Sequence, residues 1–481
     1  MKRLLLFLIM LTLCLSSSAL ADAAFDLNIP ASYEITLSDA LIKGTDAPGI
    51  SISASGAKLT ITLKDNTTCT VIGDYGFAGI ALSDAELVIR CERAGERHTC
   101  DTSCGKLIVT GGHYAAGIGG NDRKPFSGTV TIMGGQITAN GDDFSAGIGA
   151  GNYSAFNGKI IITGGIVNAN GGGYGTGIGS SDRPMEGTIT ISGGIVNAVG
   201  GESAAGIGSG FNGYVTECAM NGTVEITGGT VTASGGDGGA GIGSGYHSGI
   251  NGTIKISGGT ITANGRNGGA GIGSGSESEM NGNIEISGGT VTANGAGGAA
   301  GIGAGSYGNM RGLFEHTGGT VYANGGVNAA GIGAGFYGEM SGKIIVRNCP
   351  LTAIAGEHNM ASFDPASSIG ASAGGTMTDD AVINVDPISK PITVNAGPDA
   401  AGASPLEGSP FASKYSLKEA LKDKKYAKFI YVETPATPTP APTTAPSVPE
   451  TGDSANFAFL ALLAVISMIG LAIIPRKKND A

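Results

Sequence analysis

Residues 258–275 of the chain read GGTITANGRNGGAGIGSG. Nearly half of these residues are glycine, which is typical of a flexible linker. Ile261, Ala263 and Ile272, however, are spaced like side chains that pack in a core. The tripeptide Gly-Ile-Gly recurs in steps of 30, 30, 29, 35, 30, 30 and 30 residues, and such a period indicates a repeat architecture. The tripeptide begins at Gly117, Gly147, Gly177, Gly206, Gly241, Gly271, Gly301 and Gly331.

Each unit contains two short runs in which β-branched residues alternate with others, such as GTVTI and then GGTVTA. This period of two predicts β-strands, and glycine interrupts every window long enough for a helix. One unit buries too few apolar side chains to offset the entropy of ordering it, so the units must stack. We therefore predict an all-β fold, a single-stranded parallel β-helix (solenoid). It has about 30 residues and three short strands per coil, and is right-handed, as is usual for parallel crossovers.

Superposition of the units gives columns of apolar residues that are predicted to point inward. The isoleucines of Gly-Ile-Gly form one column. The others are Val130, Ile160, Ile189, Val224, Ile254, Ile284, Phe314 and Ile344; Ile132, Ile162, Ile191, Ile226, Ile256, Ile286, His316 and Val346; Ile137, Val167, Val196, Val231, Ile261, Val291, Val321 and Leu351; and Phe126, Phe156, Met185, Met220, Ile250, Met280, Met310 and Met340. Glycine allows the backbone to turn the corners. Asparagines that recur at one corner are expected to bond to one another; they are Asn140, Asn170, Asn264, Asn294 and Asn324.

Two positions depart from these patterns. His316 stands in an inward column that is otherwise aliphatic. We predict a buried histidine satisfied by a local hydrogen bond, because no Ser, Cys or Asp partner for catalysis recurs nearby. On the outward face, Glu225, Lys255 and Glu285 alternate in sign, as adjacent strands favour. Glu315 breaks this alternation, and the sequence offers no explanation for it.

The two ends of the solenoid follow the period less closely. Residues 22–110 are expected to hold an N-terminal cap and the first coils with a cysteine-containing loop, residues 111–375 the regular repeats, and residues 376–433 a C-terminal cap. Within that last segment, SLKEALKDKKYAKF (residues 416–429) predicts a short amphipathic helix followed by a strand. Caps are expected because the end coils of a solenoid otherwise expose unpaired strand edges.

The first 21 residues are typical of a secretory signal peptide. Two basic residues precede an apolar run over residues 4–15, and residues 19–21 form a small-residue cleavage box. Cleavage is expected between Ala21 and Asp22. The apolar run is too short to span a bilayer, which argues against a membrane anchor.

The C terminus contains a pentapeptide, an apolar stretch over residues 457–474 and a basic tail at residues 476–478. The apolar stretch is long enough to cross a membrane as a helix. In this order the three parts resemble the LPXTG-type cell-wall sorting signal of Gram-positive bacteria. The resemblance implies that a sortase cleaves between the threonine and the glycine and joins the threonine to peptidoglycan; a plain transmembrane tail is the alternative. The pentapeptide is Val448, Pro449, Glu450, Thr451 and Gly452, with valine where the family usually has leucine.

The net charge and the composition near the C terminus indicate which partners and which linker to expect. The whole chain has a net charge of −11, and removing both ends takes away five basic and two acidic residues, which leaves −14. Nucleic acid is therefore not an expected partner. Residues 434–447 are rich in proline and threonine, which predicts an extended, wall-spanning linker. The resemblance to the LPXTG-type sorting signal implies the cell wall of a Gram-positive bacterium as the location.

Six cysteines remain after removal of the signal peptide. Export permits disulfides, and Cys69, Cys91, Cys100 and Cys104 are close enough in sequence to pair. A metal site that includes His98 is an alternative, but one Cys/His group without paired Cys-x-x-Cys spacing is weak support for zinc. We therefore predict a structural loop that is either pinned by a disulfide or reduced, with no metal and no cofactor.

The repeats resemble GTITISGGTVTA and GAGIGSG-type units of secreted Gram-positive surface proteins described as carbohydrate-binding-domain proteins, over about residues 30–430. The resemblance implies sugar binding without identifying a pocket. Aromatic residues five or six positions after the start of Gly-Ile-Gly predict a strip along one edge, which would follow an extended glycan because aromatic faces pack on sugar rings. Aromatic residues in loops often only cover the neighbouring coil, and the residues by themselves slightly favour that interpretation over sugar binding. The strip consists of Tyr153, Phe211, Tyr246, Tyr307, Phe336 and Tyr337.

An enzymatic role is the main alternative to binding. β-Helix enzymes that cleave polysaccharides need an acid and a base that flank one glycosidic bond. Asp122 and Asp182 occupy matching positions with Asn152 between them, but a turn-forming role is the simpler interpretation. We therefore expect a non-catalytic, wall-anchored adhesin or glycan-binding module. The alternatives are a polysaccharide lyase or glycoside hydrolase, and a purely structural stalk.

Overall fold

The computed structural model describes residues 25–26, 33–93, 99–211, 218–348 and 350–431. Several predicted features lie outside the described residues. They are the signal peptide with Ala21 and Asp22, the linker at residues 434–447, and the sorting signal at residues 448–452 with its apolar stretch. Within the described ranges the secondary structure is all β, without a helix. No helix of sufficient length and apolarity to cross a membrane is therefore found in this part of the chain.

One face of the molecule is a parallel sheet of twelve short strands, most of them formed by the Ile-Gly of Gly-Ile-Gly. Ile148 pairs in register with Ile118 of the coil before it and Ile178 of the coil after it. The same residue of each repeat is therefore stacked on itself. The strands are Phe25–Asp26, Ile50–Ile52, Ile80–Leu82, Ile118–Gly119, Ile148–Gly149, Ile178–Gly179, Ile207–Gly208, Ile242–Gly243, Ile272–Gly273, Ile302–Gly303, Ile332–Gly333 and Ile369–Gly370.

A second, larger sheet contains the two alternating runs of each unit as two parallel rows. The first row comprises Tyr33–Leu37, Lys58–Leu63, Glu86–Cys91, Thr129–Ile132, Lys159–Ile162, Thr188–Ile191, Thr223–Ile226, Lys343–Val346 and Val382–Val385. The second row comprises Leu41–Lys43, Thr68–Ile72, Lys106–Thr110, Gln136–Asn140, Ile166–Asn170, Ile195–Val199, Thr230–Ser234 and Leu351–Ile354. In three coils the rows are continuous as single strands, namely Thr253–Asn264, Asn283–Asn294 and Leu313–Asn324. Two further parallel pairs join Ala219–Met220 to Gly249–Ile250 and Glu339–Met340 to Thr376–Met377.

The predicted inward columns form the core. Every aliphatic, methionine and phenylalanine side chain of these columns is at most 1% exposed. Like residues meet across neighbouring coils, as when Val130 pairs with Ile160 and Met280 with Met310. A buried side chain of this size contributes about 1.5 to 3 kcal/mol, and each contributes only when the adjacent coil is in place. The parallel β-helix prediction is confirmed.

The asparagine corner is also confirmed. Asn170 donates from Nδ2 to Asn140 Oδ1 at 2.8 Å. Asn294 donates in the same way to Asn264, and Asn324 to Asn294, both at 2.8 Å. Each bond joins one coil to the next, so the ladder fixes the register of the coils at this corner.

His316 and Glu315 depart from the repeat, and the structure accounts for one of them. The predicted burial of His316 is confirmed, but the predicted hydrogen bond is wrong: among the described residues neither ring nitrogen has a partner of normal geometry. Burial lowers the pKa of His316 to about 4, although polar backbone groups of Asn348 and Gly319 oppose the shift. Glu315 accepts a hydrogen bond of 2.6 Å from Arg347 Nε of the following coil, and Arg347 also pairs with Asp386. The negative charge of Glu315 is therefore compensated by Arg347, which does not belong to the outward column of Glu225, Lys255 and Glu285.

The C-terminal segment covers the last coil. Strand Tyr426–Tyr431 pairs antiparallel with Leu351–Ile354 and with Ile392–Gly397. The short strand Ser404–Pro405 pairs antiparallel with Ile392–Gly397. The short strand Tyr415–Ser416 pairs antiparallel with Val382–Val385, the last strand of the first row. The antiparallel strands occupy the edge that another coil would otherwise extend, so this segment acts as a cap.

The predicted amphipathic helix in this cap is wrong. Only a single helical turn forms, in which the Leu421 N–H donates to the Leu417 carbonyl at 3.0 Å. Both leucines are buried, which explains their helical spacing. Asp423 then takes a left-handed conformation with φ of 63°. This residue turns the chain into the final strand, and the predicted strand itself is confirmed.

Candidate functional site

Two corners of each coil flank the Gly-Ile-Gly strand and lie against each other. The upstream corner is the third residue before the first glycine, and the downstream corner is the fifth and sixth residues after it. A Cβ added to Gly238 of the upstream corner would lie 3.1 Å from the ring of Tyr246 of the downstream corner. This close contact favours one large side chain per coil at the place where the corners meet.

Five aromatic rings form a continuous row along these corners, which we call the aromatic edge: Tyr114, Phe144, Tyr174, Phe211 and Tyr246. Neighbouring ring centroids are 6.3 Å apart for the first pair and 4.8 Å for the second. The next two separations are 5.3 and 5.9 Å. The first three rings come from upstream corners and the last two from downstream corners, so the row crosses between the corners without a break.

Polar and aromatic groups continue the aromatic edge at its N-terminal end. The ring of Tyr75, which is 66% exposed, lies 6.1 Å from that of Tyr114. His113 lies 3.9 Å from the same ring, and its Nδ1 is 3.3 Å from Asp143 Oδ2. This end therefore combines an exposed ring with groups that form hydrogen bonds.

The C-terminal end of the aromatic edge has a similar composition. Tyr246 donates from its hydroxyl to Glu277 Oε1 at 2.8 Å. Burial raises the pKa of Tyr246, and the hydrogen bond to Glu277 and its charge act in the same direction. His247 packs on the Tyr246 ring at 4.1 Å and approaches Glu277 to 3.5 Å. Both ends of the row therefore place a histidine and a carboxylate beside an aromatic ring.

A second aromatic group lies in later coils, and we call it the tyrosine platform: Tyr307, Phe336, Tyr337 and Phe363. The rings of Tyr307 and Tyr337 are nearly parallel, at an interplanar angle of 6° with centroids 5.8 Å apart. They are 57% and 47% exposed. Phe336 is buried beneath them, with its ring centroid 4.3 Å from that of Tyr337. The buried ring holds the two exposed rings in place.

The second residue of the downstream corner, six positions after the first glycine of Gly-Ile-Gly, has a left-handed backbone in most coils. Tyr307 and Tyr337 have φ of 57° and 58°. Arg123, His247 and Glu277 occupy the same position in other coils and have φ between 54° and 56°. The conformation thus belongs to the corner and not to the tyrosines, and it presents whichever side chain stands there to the solvent.

Tyr153 forms no ring contact with either group within the described part of the chain. It lies between two arginines, with the guanidinium carbons of Arg123 and Arg183 5.7 and 5.3 Å from its ring centroid. Asp182 Oδ1 accepts the backbone N–H of Tyr153 at 2.8 Å. The predicted strip therefore separates into three parts. Among the described residues of the strip, Tyr153 stands alone, Phe211 contacts Tyr246, and Tyr307 contacts Phe336 and Tyr337.

The carboxylates considered for catalysis stabilise the corners. Asn152 donates from Nδ2 to Asp122 Oδ1 at 3.0 Å, and Asp182 holds the backbone of Tyr153. Asp182 is buried, and this burial raises its pKa, while the Tyr153 N–H opposes the shift. Both contacts agree with the turn-forming interpretation.

Five of the aromatic residues were not predicted from the sequence: Tyr75, Tyr114, Phe144, Tyr174 and Phe363. Three of them recur three residues before Gly-Ile-Gly in successive units, so the same superposition of repeats contains the signal. The contact of Tyr174 with Phe211 of the other corner cannot be predicted from a column, because it depends on how the corners approach each other.

A groove of about 590 Å³ opens beside the tyrosine platform. Phe363 of the platform lines it, and Gly374 on its wall packs against the Tyr337 ring, because a Cβ there would lie 3.0 Å from that ring. Its charged lining residues include Asp364, Asp379, Lys418, Glu419, Lys422 and Asp423. The platform therefore leads into a polar depression.

The five cysteines within the described residues form no disulfide in the structure; they are Cys69, Cys91, Cys100, Cys104 and Cys218. The sulfur atoms of Cys91, Cys100 and Cys104 all lie within 4.8 Å of one another. Cys69 is buried on a different strand, in register with Leu107, and is not part of this cluster. A disulfide among the three clustered cysteines stays a prediction, and Cys349 and His98 lie outside the described residues.

A family model described as "Beta helix repeat" matches six segments of the chain: residues 130–152, 189–211, 224–246, 254–276, 284–306 and 317–336. The chain contains parallel β-helix repeats. The matched segments coincide with stacked coils of the structure and include both corners in part. No curated protein and no solved structure matches the chain.

Proposed function

We propose that the protein is a non-catalytic surface adhesin or glycan-binding module that presents aromatic rings on a rigid β-solenoid. The observation that carries this proposal is the parallel, exposed pair Tyr307 and Tyr337, supported from below by Phe336. The two rings are parallel to each other and about half of their surface is in water, so both are accessible to a ligand. They offer flat apolar faces to a sugar chain.

The chemistry around the rings also suits a carbohydrate. Sugars combine apolar ring faces with hydroxyl groups, and binding sites for such ligands combine aromatic walls with a few polar groups. The groove beside Phe363 provides carboxylates and lysines, and the aromatic edge provides Glu277 and His247 next to Tyr246. An extended glycan that lies along the solenoid would meet rings first and hydrogen-bonding groups at the ends of each row.

The proposed location is the cell wall of a Gram-positive bacterium, after export and transient membrane retention. The support is the sequence alone: the signal-peptide pattern, the linker at residues 434–447 and the pentapeptide that ends in Thr451 and Gly452. Sortase would be the processing partner and peptidoglycan the covalent partner through Thr451. The variant Thr451→Ala is expected to leave the wall fraction of the producing cells and to accumulate in the membrane fraction. An unchanged wall fraction would exclude this anchor.

The glycan proposal is tested with the full chain on an array of neutral and acidic polysaccharides. The double variant Tyr307→Ala/Tyr337→Ala is expected to weaken binding at least about tenfold, which corresponds to about 1.4 kcal/mol. Tyr322→Ala is the matched control, because Tyr322 is also exposed, at 44%, but lies on a flat strand face. Binding that survives the double variant, or that falls equally in the control, would contradict the platform as the site. Tyr246→Ala reports separately on the aromatic edge.

A polysaccharide lyase or hydrolase is the second candidate. The groove favours it, because several carboxylates line one depression next to exposed rings. The same array polymers are therefore assayed for release of reducing ends. Release that disappears in Asp379→Asn/Glu419→Gln would establish catalysis in the groove. A structural stalk predicts neither binding nor release.

A further inference from the structure

We propose that Cys91, Cys100 and Cys104 form a three-thiolate binding site for a soft divalent cation of the zinc class. Cys91 ends the strand Glu86–Cys91, and Cys104 lies shortly before the strand Lys106–Thr110. Their sulfur atoms converge with that of Cys100 within a sphere small enough for one ion. Such an ion would join the end of the strand Glu86–Cys91 to Cys104, which precedes the strand Lys106–Thr110.

The geometry of the sulfur atoms matches metal coordination. Sulfur ligands 2.3 Å from a tetrahedral zinc ion lie about 3.8 Å from one another. The distance between Cys91 Sγ and Cys100 Sγ is 3.8 Å. A disulfide needs about 2.0 Å between the two sulfur atoms, joins only two of them, and leaves the third thiol against the bond. Three converging thiols provide three of the four ligands of a tetrahedral zinc ion.

The surrounding backbone leaves room for the sulfur atoms and supports them. A Cβ on Gly134 of the next coil would lie 3.0 Å from Cys91 Sγ and 3.3 Å from Cys100 Sγ. The adjacent Gly135 N–H donates to Cys100 Sγ at 3.1 Å. Hydrogen bonds of this kind to thiolate ligands are typical of metal sites, because they orient the ligand and stabilise its charge.

The loop that carries Cys104 is held in place before any ion binds. Gln136 Nε2 donates to the Thr102 and Cys104 carbonyls at 3.1 and 2.9 Å. Asp101 Oδ1 accepts the Ser103 N–H at 2.9 Å. A preformed loop lowers the entropy that cation binding would otherwise cost.

The charges near the cluster suit a metal–thiolate complex. Three thiolates and a divalent cation carry a net charge of −1 in formal terms. The Arg93 guanidinium lies 3.8 Å from Cys104 Sγ and provides a positive charge, which it shares with Asp65. On binding, each thiol releases its proton to solvent and its sulfur donates an electron pair to the cation. Cys100 is only half-buried, so a water molecule can complete the coordination from that side.

The test uses the full chain, reduced and freed of metal by a chelator, and then titrated with Co²⁺ as a spectroscopic probe. We expect one Co²⁺ per chain, with a thiolate-to-cobalt charge-transfer band and the strong visible bands of tetrahedral cobalt. Zn²⁺ should displace the cobalt and raise the unfolding midpoint. The bands should be lost in Cys100→Ser and in Cys104→Ser. Cys218→Ser, which removes a buried thiol outside the cluster, should keep them.

A second measurement does not depend on the variants folding. In the unaltered chain, Zn²⁺ should protect three cysteines from alkylation, and peptide mapping should identify Cys91, Cys100 and Cys104. The proposal is overturned if no tetrahedral cobalt spectrum appears, if Zn²⁺ protects none of the three cysteines, or if the spectrum persists in Cys104→Ser. It is also overturned if the chain isolated without reductant has lost two hydrogens through a Cys91–Cys100 disulfide and the reduced chain binds no cobalt.

Discussion

His316 lies in register with Ile286 in the buried stack of the second inward column. The exchange of an aliphatic side chain for an imidazole leaves two buried nitrogen atoms that have no hydrogen-bond partner among the described residues. A buried polar group without a partner destabilises the folded state, because it loses its hydrogen bonds to water. This position is therefore a weak point of the solenoid.

The variant His316→Ile is expected to raise the free energy of unfolding by about 1 to 3 kcal/mol, because it removes the unpaired nitrogens and restores the column. Chemical denaturation followed by circular dichroism measures the change. Ile286→Val in the same column is the control and should lower stability by about 0.5 to 1.5 kcal/mol. Equal or lower stability of His316→Ile would mean that the ring is hydrogen-bonded after all.

The same histidine predicts a dependence of stability on pH. The folded-state pKa of His316 is lowered from 6.5 to about 4 by burial. Between these values the unfolded chain binds a proton that the folded chain does not, so stability falls as the pH falls from about 6.5 to about 4 and is unaffected above. The loss reaches about 3 kcal/mol. Unfolding of the wild type and His316→Ile at about pH 7 and about pH 4.5 isolates this effect. Parallel changes in the two proteins would contradict it.

The second glycine of Gly-Ile-Gly should tolerate no side chain. Gly273 has φ of 140°, and a Cβ there would lie 1.8 Å from the carbonyl oxygen of Gly303 in the next coil. Gly273→Ala is expected to lower the free energy of unfolding by about 3 kcal/mol or more, since the coils would have to separate. Gly173→Ala is the control, because its nearest neighbour would be 3.6 Å away. The control should change stability by less than about 0.5 kcal/mol. Similar effects of both substitutions on thermal unfolding would refute the steric argument for Gly273.

The asparagine ladder should contribute measurably to stability. Asn294 donates to Asn264 and accepts from Asn324, so Asn294→Ala removes two hydrogen bonds and leaves two half-buried amides without a partner. We expect a loss of about 1 to 3 kcal/mol. Asn283→Ala, on the exposed end of the same strand, serves as the comparison and should be nearly neutral. If both variants unfold at the same denaturant concentration, the ladder is not a source of stability.

The sequence by itself determined the coil, the inward columns and the asparagine corner. The reason is that these features depend on two periods only. Alternation along one strand decides which side chains point inward, and the thirty-residue repeat decides which residue lies above which. Ile118, Ile148 and Ile178 therefore could be placed in one stack without coordinates.

The tertiary structure alone decided which side chains meet across different columns. Tyr174 and Phe211 belong to different corners, yet their rings lie 5.3 Å apart because the two corners fold against each other. Arg347 of the next coil likewise forms a hydrogen bond with Glu315 although the two residues belong to different columns. The sulfur atoms of Cys91, Cys100 and Cys104 lie within 4.8 Å of one another, although these cysteines belong to no repeated column. A period fixes position along the stack, whereas these contacts depend on the path of the chain between strands, and irregular backbone at the corners sets that path.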